Sequence, residues 1–472
     1  MATPPIKFGT DGWRAIIAKD YTFDNLEIVT RATAQWLKKN YGATPSVVMG
    51  HDTRFLGPEF TEFSARIFAS LGVSVTMAEG FTSTPAISWA ALGYEASAGI
   101  VITASHNPPQ YNGFKIKADF GGPATPDMIA AVEAEMLDLA PADGPLPSLE
   151  ALMEDGMIRF RDVTADYLNV LRDRLDIDAI TGSDLKVAHD AMYGAGQGMV
   201  AALIGEDRVV GLHQDYNPGF MGQAPEPISK NLGDLGELVV REGCAIGIAN
   251  DGDADRIGMY DENGDFVNSH LLLALLIKYL HQERKLTGDV IKTYSTTHML
   301  DRIGEAYGLT VQTTPIGFKY IAGKIVEGDV IVGGEESGGM AVKGHIPERD
   351  GIYIGLLMAE MVVKRGKPLS ALVQELYDEF GGHYTYRNDV HTTNENKAKV
   401  LEALAAGGLK TIAGRTVNEV GTLDGFKHFA DGGWLLVRPS GTEPVLRVYS
   451  ESDSPENAKA IVDDAIVQLG LA

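Results

Sequence analysis

Residues 99–108 read GIVITASHNP, in which a short apolar run passes directly into small and polar residues. Apolar runs of this length with β-branched members are typical of buried strands, so the pattern predicts a strand over Gly99–Ile102. Ser105 and His106 then fall on the loop at the carboxyl end of that strand, where open α/β sheets bind their ligands. The prolines that follow disfavour an immediate helix and keep the loop extended. A turn without chemical function is the alternative for this segment alone.

A second segment has the same design of an apolar strand followed by a polar loop. Residues 245–249 are apolar, and the loop after them holds Asp251, Asp253 and Asp255 within five residues. Three neighbouring carboxylates repel one another unless a cation lies between them. Oxygen ligands suit a hard divalent ion, and Mg2+ is the usual ion where phosphate is handled. The loop therefore predicts a magnesium site, with a solvated acidic turn as the alternative.

The aspartate spacing also matches the ligand positions of an EF-hand calcium loop, with Glu262 at the twelfth position. An EF-hand needs glycine at the sixth position for its sharp turn, and this chain has Arg256 there. The segment before the loop has the pattern of a strand, whereas an EF-hand loop follows a helix. Both observations argue against an EF-hand.

The order of apolar strands and polar loops recurs three times along the chain. Later strands lead to the Ser105 loop, to the Asp251 loop and, after residues 329–332, to a loop that contains Glu335. This recurrence predicts three copies of one α/β unit, each giving one functional loop to a shared cleft. The first strand of each unit ends at residues 51–54, 189–193 and 293–297.

The chain, with 472 residues, is too long for a single hydrophobic core. The apolar period changes after Tyr377, a Gly-Gly break follows at 381–382, and two candidate strands lie beyond it at 434–437 and 445–449. We therefore predict an α/β fold of three similar mixed-sheet α/β domains plus a smaller C-terminal α+β domain around a central cleft. The predicted domains are residues 1–158, 159–266, 267–382 and 383–472.

Two helix starts can be predicted from their capping patterns. Asp24, with Glu27 three residues later, has the pattern of a capping box that opens a helix. Ser454 followed by Pro455 predicts the cap and the first helical position of the last helix in the chain.

Five ordered motifs resemble those of the α-D-phosphohexomutase family, the phosphoglucomutases and phosphomannomutases. TASHNP at 103–108 resembles the family's phosphoserine motif, and DGDADR at 251–256 resembles its Mg2+-binding loop. The sugar-recognition loop corresponds to GEESG at 334–338 and the phosphate clamp to RPSGTEP at 438–444, while FGTDGWR at 8–14 matches the amino-terminal motif. Since the matches extend from residue 8 to residue 444, the resemblance covers nearly the whole chain.

The resemblance implies that Ser105 carries a phosphoryl group, which a hexose phosphate takes up and returns through a hexose 1,6-bisphosphate. A resting phosphoserine also removes a difficulty, because serine is a weak nucleophile and no catalytic triad adjoins it in the sequence. Phosphoserine and three aspartates need more positive charge than one Mg2+, and Arg256 and Lys115 lie in the matched motifs. Without the resemblance, Lys115 has the pattern of an outward residue on a strand and His106 that of a structural histidine.

The resemblance thus implies a full set of candidate site residues. The expected catalytic residues are Ser105, His106, Lys115 and Arg14. The expected metal ligands are Ser105, Asp251, Asp253 and Asp255, with Arg256 as charge support. The expected substrate-binding residues are Thr10, Lys319, Glu335, Ser337, His345, Arg438, Ser440, Gly441, Thr442 and Arg447.

Composition limits the partners and the location. A formal net charge of -24 argues against nucleic-acid binding, because the global field repels phosphates. A sugar phosphate is also an anion, so the cationic residues of the motifs must form a basic cleft inside an acidic shell. No apolar run is long enough for a membrane span, and the first residues lack the pattern of a secretory signal. With one cysteine as well, we expect a cytoplasmic protein.

We therefore expect an isomerase that interconverts hexose 1-phosphate and hexose 6-phosphate, with glucose or mannose as the sugar. Mg2+ and hexose 1,6-bisphosphate are the expected cofactors, hexose phosphates are the expected partners, and the assembly is a monomer or homodimer. The alternatives are a phosphoglucosamine mutase, a non-catalytic sugar-phosphate-binding protein and a phosphoserine hydrolase. The GEESGG form of the sugar loop at 334–339 resembles the glucose-type mutases.

Overall fold

The computed structural model describes residues 6–137, 139–142, 144–440 and 444–471. These residues divide into two compact units. The first unit holds the described residues up to Thr287 together with Gly317–Ala371, and the second holds Gly288–Ile316 together with the described residues from Leu372 onward.

The first sheet of the first unit has six strands in the order β1-β5-β4-β2-β3-β6. Strands β2, β3, β4 and β6 run parallel, while β5 pairs antiparallel with both β4 and β1. Helices cover the sheet, and their apolar residues pack with the strands in one core that includes Leu26, Met49, Phe68 and Ile100. The strands are β1 Trp13–Ile16, β2 Ser46–His51, β3 Ser74–Ala78, β4 Ala98–Ile102, β5 Tyr111–Ala118 and β6 Ile158–Arg161, and the helices are α1 Phe23–Tyr41, α2 Gly57–Ser70, α3 Thr84–Gly93, α4 Pro126–Glu135 and α5 Leu149–Glu154.

The second sheet of the first unit has the order β11-β10-β9-β7-β8. Its central order β8-β7-β9-β10 repeats the order β3-β2-β4-β5, with parallel pairs followed by one antiparallel pair. The strands are β7 Val187–Asp190, β8 Val209–Leu212, β9 Ile246–Asn250, β10 Ile257–Tyr260 and β11 Phe266–Val267, and the helices are α6 Val163–Arg174, α7 Ile177–Thr181, α8 Met199–Ile204 and α9 Gly233–Glu242.

The same pairs of strands occur a third time. In the second unit β12 pairs parallel with β13, and in the first unit β14 pairs antiparallel with β15. The predicted threefold recurrence of one mixed-sheet α/β unit is therefore confirmed. The elements are α10 Ser269–Gln282, β12 Asp289–Thr293, α11 Met299–Tyr307, β13 Val311–Thr314, α12 Phe318–Glu327, β14 Val330–Gly334, β15 Met340–Val342, α13 Gly351–Arg365 and α14 Leu369–Phe380.

The C-terminal part of the second unit is an antiparallel sheet in the order β16-β21-β20-β19-β18-β17, as the predicted smaller α+β domain requires. Its last helix begins as predicted, because the Ser454 hydroxyl accepts a hydrogen bond from the Asn457 amide at 3.2 Å. The elements are β16 Tyr384–His391, α15 Asn394–Ala405, β17 Thr411–Ile412, β18 Arg415–Gly421, β19 Phe426–Ala430, β20 Gly433–Pro439, β21 Val445–Ser452 and α16 Pro455–Gln468.

The start of α1 differs from the prediction. The cap is Thr22, whose hydroxyl accepts from the Asn25 amide at 3.2 Å, and Asp24 lies inside the first turn. Glu27 does not complete a capping box, because its carboxylate pairs with Arg31 at 2.7 Å. The predicted cap at Asp24 is therefore wrong, since a threonine two residues earlier satisfies the free amide first.

A helix that crosses a membrane must be both long and apolar. Among the described helices, none combines that length with that composition. The domain boundaries after residues 158, 266 and 382 stay predictions.

Candidate active site

Ser105 lies on the loop after β4, fully buried and with a backbone φ of 53°. This left-handed conformation is uncommon for a residue with a Cβ and persists only where neighbours hold it. The Thr103 hydroxyl accepts from the Ser105 amide at 2.8 Å and donates to Asp52 at 2.5 Å. The bend aims the Ser105 hydroxyl at Asp251 Oδ2, at 2.7 Å, with His106 Nδ1 at 3.3 Å.

The three aspartates of the second loop form a buried cluster. One carboxylate oxygen from each of Asp251, Asp253 and Asp255 lies within 4.8 Å of the others. Asp253 Oδ1 and Asp255 Oδ1 have no hydrogen-bond partner among the described residues. Burial, followed by repulsion from Asp255 and Asp253, raises the pKa of Asp251 well above its usual value. Unpartnered oxygens and mutual repulsion fit a bound divalent cation at this cluster.

The geometry excludes the EF-hand alternative. Strand β9, and not a helix, precedes the aspartate loop. Glu262, at the twelfth position, accepts hydrogen bonds from the amide and the hydroxyl of Ser370 and is not part of the carboxylate cluster. The loop is therefore a three-aspartate site of another type.

Two glycines allow backbone segments to close around the site. A Cβ on Gly252 would lie 2.5 Å from the carbonyl oxygen of Ser105, so only glycine lets the aspartate loop approach the serine loop. Gly12 has a φ of +91°, and a Cβ there would lie 2.8 Å from the Phe114 carbonyl oxygen. The amino-terminal loop thus packs directly against the strand that carries Lys115.

Lys115 points into the site from β5 and is fully buried. Its Nζ lies 2.8 Å from Asp11, 2.7 Å from Asp253 and 3.0 Å from Asp255. Burial lowers the pKa of Lys115, but these three carboxylates outweigh it and hold the pKa above the usual value. Lys115 is therefore charged, and the alternative of an outward strand residue is wrong.

Two arginines add positive charge beside the serine loop. Arg14 donates to the Asn107 side-chain oxygen at 2.9 Å, and Arg256 Nε lies 3.9 Å from Asp255 Oδ1. Burial, followed by repulsion from Arg256 and Arg14, lowers the pKa of His106 well below its usual value. The His106 ring is therefore neutral, and its surroundings are cationic although the chain as a whole is acidic.

Sequence analysis missed part of the buried charge network. Arg349 donates to Asp11 and lies 2.8 Å from Asp255, and Lys117 lies 3.1 Å from Asp11 and 2.8 Å from Glu348. Asp11 lies inside a matched motif and could have been singled out there. Arg349 follows β15 in a loop without a motif, so the sequence carries no signal for it.

Glu335 lies at the end of β14 on a loop that is joined to the aspartate loop. The Glu335 amide donates to the Gly339 carbonyl at 3.0 Å, and the Gly338 carbonyl accepts from the Ile257 amide at 3.1 Å. Burial raises the pKa of Glu335 to about 7 against the attraction of Arg349. The buried Glu335 carboxyl is thus within electrostatic reach of Asp255 on the aspartate loop.

We expect Glu335→Gln to resist unfolding better than the parent at pH 8. The folded-state pKa of Glu335 is about 7, above the usual 4.5, so ionised Glu335 destabilises the folded state. This destabilisation is complete above pH 7 and disappears below pH 4.5. At about 1.4 kcal/mol per pKa unit, the gain at pH 8 is about 3 kcal/mol. Urea unfolding of both proteins at pH 8 and pH 4 measures it. An equal difference at both pH values would contradict the prediction.

Three predicted substrate residues lie in the first unit but make no described hydrogen bond to Ser105. Thr10 is exposed on the amino-terminal loop. It lies near Gly317, since a Cβ added to that glycine would be 4.0 Å from the Thr10 methyl group. Lys319 lies two residues further on, in the first turn of α12, and is half-buried. Ser337 is half-buried on the Glu335 loop. All three leave side-chain atoms open to a ligand.

His345 is a predicted substrate residue whose side chain has two hydrogen-bond partners. Its Nδ1 accepts from Arg174 at 2.5 Å, its Nε2 donates to Asp350 at 2.6 Å, and its ring stacks on Tyr353 at 4.1 Å. The side chain is 1% exposed. Both ring nitrogens of His345 are thus occupied, Nδ1 by Arg174 and Nε2 by Asp350 at the start of α13, and its contact with substrate stays a prediction.

In the second unit, two predicted substrate arginines lie directly opposite each other. Arg438 on β20 pairs in register with Arg447 on β21, so both side chains are on one face of the sheet. Arg438 Nε donates to Asp424 at 2.8 Å, while Arg447 Nε lies 3.9 Å from the nearest Asp389 oxygen. Opposed like charges destabilise a strand pair unless an anion lies between them. This geometry fits a phosphate.

Ser440 follows β20 and is buried, with its amide donating to the Val445 carbonyl at 2.9 Å. Its own carbonyl accepts from Lys397 at 2.8 Å. These bonds hold the strand ends on both sides of the predicted clamp. The predicted clamp residues Gly441 and Thr442 lie outside the described residues.

Comparison with protein families matches four successive parts of the chain. Each matched family model is described as a domain of phosphoglucomutase/phosphomannomutase. Alpha/beta/alpha domain I matches residues 5–142, domain II residues 165–264, domain III residues 268–380 and the C-terminal domain residues 390–467.

Curated relatives and solved structures match over nearly the full length. A phosphoglucomutase/phosphomannomutase of Thermococcus kodakarensis is 33% identical over 465 residues, which cover 97% of this chain and 96% of the relative. A protein of Thermococcus gammatolerans named as a phosphoglucosamine mutase is 32% identical over 470 residues, covering 97% of each. A crystal structure from Thermus thermophilus, named as a phosphomannomutase, superposes with a TM-score of 0.86 and 35% identity, covering 99% of this chain and 100% of that one.

Proposed function

The chain belongs to the phosphoglucomutase/phosphomannomutase family and is a phosphohexomutase, and from this premise we propose that it interconverts hexose 1-phosphate and hexose 6-phosphate with glucose or mannose as the sugar. One observation carries the proposal. The Ser105 hydroxyl lies 2.7 Å from Asp251 in a buried carboxylate cluster, which the charged Lys115 also contacts. Serine, metal ligands and a cation are thus in the arrangement that phosphoryl transfer needs.

In the proposed reaction, Ser105 begins as a phosphoserine. A sugar hydroxyl attacks the phosphorus, the bond between phosphorus and Ser105 Oγ breaks, the hydroxyl proton passes to Ser105 Oγ, and a hexose 1,6-bisphosphate forms. After the bisphosphate reorients in the site, the Ser105 oxygen attacks its other phosphoryl group, the serine proton passes to the leaving sugar oxygen, and the isomeric monophosphate is released. Asp251, Asp253 and Asp255, with a phosphoserine oxygen, would hold Mg2+. When bound, Mg2+ would neutralise charge on the phosphoryl oxygens.

The cationic side chains of the first unit would balance the negative charge of the phosphoryl group and the aspartates that Mg2+ does not neutralise. Lys115 stays protonated among its three carboxylates, so its positive charge can stabilise the transferring phosphoryl group. Arg14 and Arg256 add positive charge on the side of the neutral His106. His106 Nδ1, at 3.3 Å from Ser105 Oγ, orients that oxygen or relays its proton.

Recognition falls to the other predicted residues. We assign Glu335 and Ser337 to neighbouring sugar hydroxyls, with Thr10 and Lys319 beside them. The opposed Arg438 and Arg447 supply the charge for the phosphate that is not transferred, and the list of proposed clamp residues is completed by Ser440, Gly441 and Thr442. The same clamp must accept a phosphate at either sugar position, because the bisphosphate intermediate reverses its orientation in the site between the two transfer steps.

Turnover on glucose, mannose and glucosamine 1-phosphates tests the proposal, measured side by side with Mg2+ and the matching bisphosphate. We expect the glucose and mannose substrates to react with kcat/KM at least about tenfold above glucosamine. Phosphoglucosamine mutase activity is the second candidate function, because one relative is named as a phosphoglucosamine mutase. A preference for glucosamine 1-phosphate would establish that function. Failure of the folded, Mg2+-loaded protein to convert any of the three would leave a sugar-phosphate-binding protein.

Assembly, location and boundaries complete the proposal. We propose a monomer or homodimer in the cytoplasm, which light scattering and cell fractionation can measure. The domain boundaries after residues 158, 266 and 382 are part of the same proposal.

Arg438→Ala and Lys115→Met are expected to impair different steps. Loss of Arg438 removes a charge-assisted contact to the non-transferred phosphate, so KM should rise about tenfold to 100-fold with kcat little changed. Loss of Lys115 removes a charge needed in the transition state, so kcat should fall about 100-fold to 1000-fold with a smaller change in KM. Steady-state kinetics with both hexose monophosphates separate the two effects.

The matched control for the clamp is Lys459→Ala on α16, whose ammonium pairs with Asp463 at 2.5 Å. It removes a cation from the same domain that shares no carboxylate with Arg438 or Arg447, and KM should stay within about twofold of the parent, since exposed pairs contribute little. An unchanged KM for Arg438→Ala with both substrates would show that the phosphate is held elsewhere.

A further inference from the structure

Arg54 is a fully buried arginine between β2 and α2 that the proposed reaction does not use. Its guanidinium donates to four backbone carbonyls of the serine loop. Nη2 donates to the carbonyls of Ser105 and Asn107, both at 2.6 Å, and Nη1 donates to those of Pro108 and Tyr111, both at 3.0 Å. One side chain thus fixes the backbone of the loop from the nucleophile to the start of β5.

Arg54 is itself held in place by Asp52. Asp52 accepts from the Arg54 amide at 2.9 Å, and its other oxygen lies 3.2 Å from Arg54 Nε. That second oxygen also accepts from the hydroxyl of Thr103, at the start of the serine loop. The Phe220 ring covers the guanidinium at 5.1 Å. Asp52 and Arg54 together hold both ends of the segment that contains Ser105.

The contacts explain how Ser105 keeps its unusual backbone. A left-handed conformation is unfavourable at a serine and persists only where the surroundings fix it. Ser105 and Asn107 lie between β4 and β5, so their carbonyls need donors from outside the sheet. A planar guanidinium presents its donors in a fixed fork, which a lysine ammonium cannot reproduce.

Resting on the proposed function, we propose that Arg54 is a positioning residue of the mutase reaction. Its fork fixes residues 105–111 so that the Ser105 oxygen faces the aspartate cluster both when it gives up the phosphoryl group and when it takes one back. The two half-reactions use the same oxygen, so one displaced loop impairs both. A misplacement of about 1 Å at a reacting atom can cost about 100-fold in rate.

The test is Arg54→Lys, which keeps the positive charge beside Asp52 but not the four carbonyl contacts. We expect kcat to fall about 100-fold in both directions, with KM and the Mg2+ dissociation constant within about threefold of the parent. Single-turnover transfer from hexose 1,6-bisphosphate to dephosphorylated Ser105 should slow to the same extent. A purely structural role would lower the melting temperature and leave kcat per folded molecule unchanged.

Arg284→Lys is the matched control in the first unit. Arg284 also pairs with a buried carboxylate, Glu360, at 2.6 Å, and its other described contacts are with Tyr279 and Tyr353, outside the proposed site. It should lose melting temperature and keep kcat. If Arg54→Lys does not fold, Asp52→Asn gives the second test, because it removes the charge that orients Arg54, and we expect kcat to fall about tenfold.

A kcat within about threefold of the parent, in Arg54→Lys or, where that variant does not fold, in Asp52→Asn, overturns the positioning role. The proposed function is judged separately on the parent protein. If the parent converts no hexose phosphate, both the mutase assignment and the role of Arg54 are refuted. An active parent with an unimpaired variant refutes only the role of Arg54.

Discussion

Intact-mass measurement of Ser105→Ala is expected to show one phosphoryl group fewer than the parent, beyond the mass of the substitution. Turnover should fall by about 10,000-fold or more, as it does when a nucleophile is removed. The physical reason is the buried hydroxyl itself, which lies 2.7 Å from Asp251 with Lys115 contacting the same cluster. Mass spectrometry and steady-state kinetics on the same preparations measure both quantities.

Thr84→Val is the matched control for this prediction. The Thr84 hydroxyl donates to Asp253, so a second hydroxyl contacts the same carboxylate cluster. Its removal should leave the phosphoryl group in place, because its hydrogen bond serves Asp253 alone. A parent that stays fully active without phosphate and without a bisphosphate activator would defeat the assignment of Ser105. So would a phosphoryl group that persists in Ser105→Ala.

The strands and loops that carry the chemistry could be predicted because their signals are local. The apolar run before Ser105 forms β4, and the run before Asp251 leads into the aspartate loop through β9. Apolar runs reveal buried strands directly, and polar residues after them fall at one edge of the sheet. The recurrence of this pattern was sufficient for the threefold architecture.

The start of α1 could not be decided in the same way. Thr22 and Asp24 are both good capping residues, two positions apart, and propensity alone does not separate them. The structure places Phe23 against Phe60 and Phe63, with ring centroids 4.9 and 5.0 Å apart. That packing, between residues far apart in the sequence, puts Phe23 at the first helical position.

The charge network around Lys115 was equally beyond local reasoning. Lys115 and Lys117 alternate along β5, which is the pattern of a strand with a solvated face. Both are fully buried instead, because Asp11 and Glu348 supply carboxylates from distant parts of the chain. The residues next to Lys115 and Lys117 in the sequence give no indication of these distant carboxylate partners.

The hydrogen-bond partners of His345 could not be predicted from the resemblance either. A histidine that follows the sugar loop by a few residues is a reasonable ligand for a sugar phosphate. In the fold its ring is sandwiched between Arg174 and Asp350, which use both nitrogens. The type and the sequence position of a residue do not decide whether its polar atoms remain free.

Exhaustive chelation is expected to reduce turnover by about 1000-fold or more, and Mg2+ is expected to restore it, since metal assistance of phosphoryl transfer supplies several kcal/mol. The cluster itself gives the reason. Three carboxylate oxygens lie within 4.8 Å of one another, and those of Asp253 and Asp255 include oxygens without a partner among the described residues. A cation that binds only the folded state also stabilises it, by about 2.7 kcal/mol at 100 times its dissociation constant. Mg2+ should therefore raise the melting temperature.

Asp253→Asn should weaken that melting shift and the recovery of turnover, because it removes one ligand charge. Asp261→Asn is the control. Asp261 is also buried and directly follows β10, but its carboxylate accepts hydrogen bonds from the amides of Asn263 and Asp265, outside the aspartate cluster. It should respond to Mg2+ as the parent does. Activity that survives chelation, or a Mg2+ melting shift that is unchanged in Asp253→Asn, would show that the aspartates balance the charge of Lys115 and Arg349 and hold no metal.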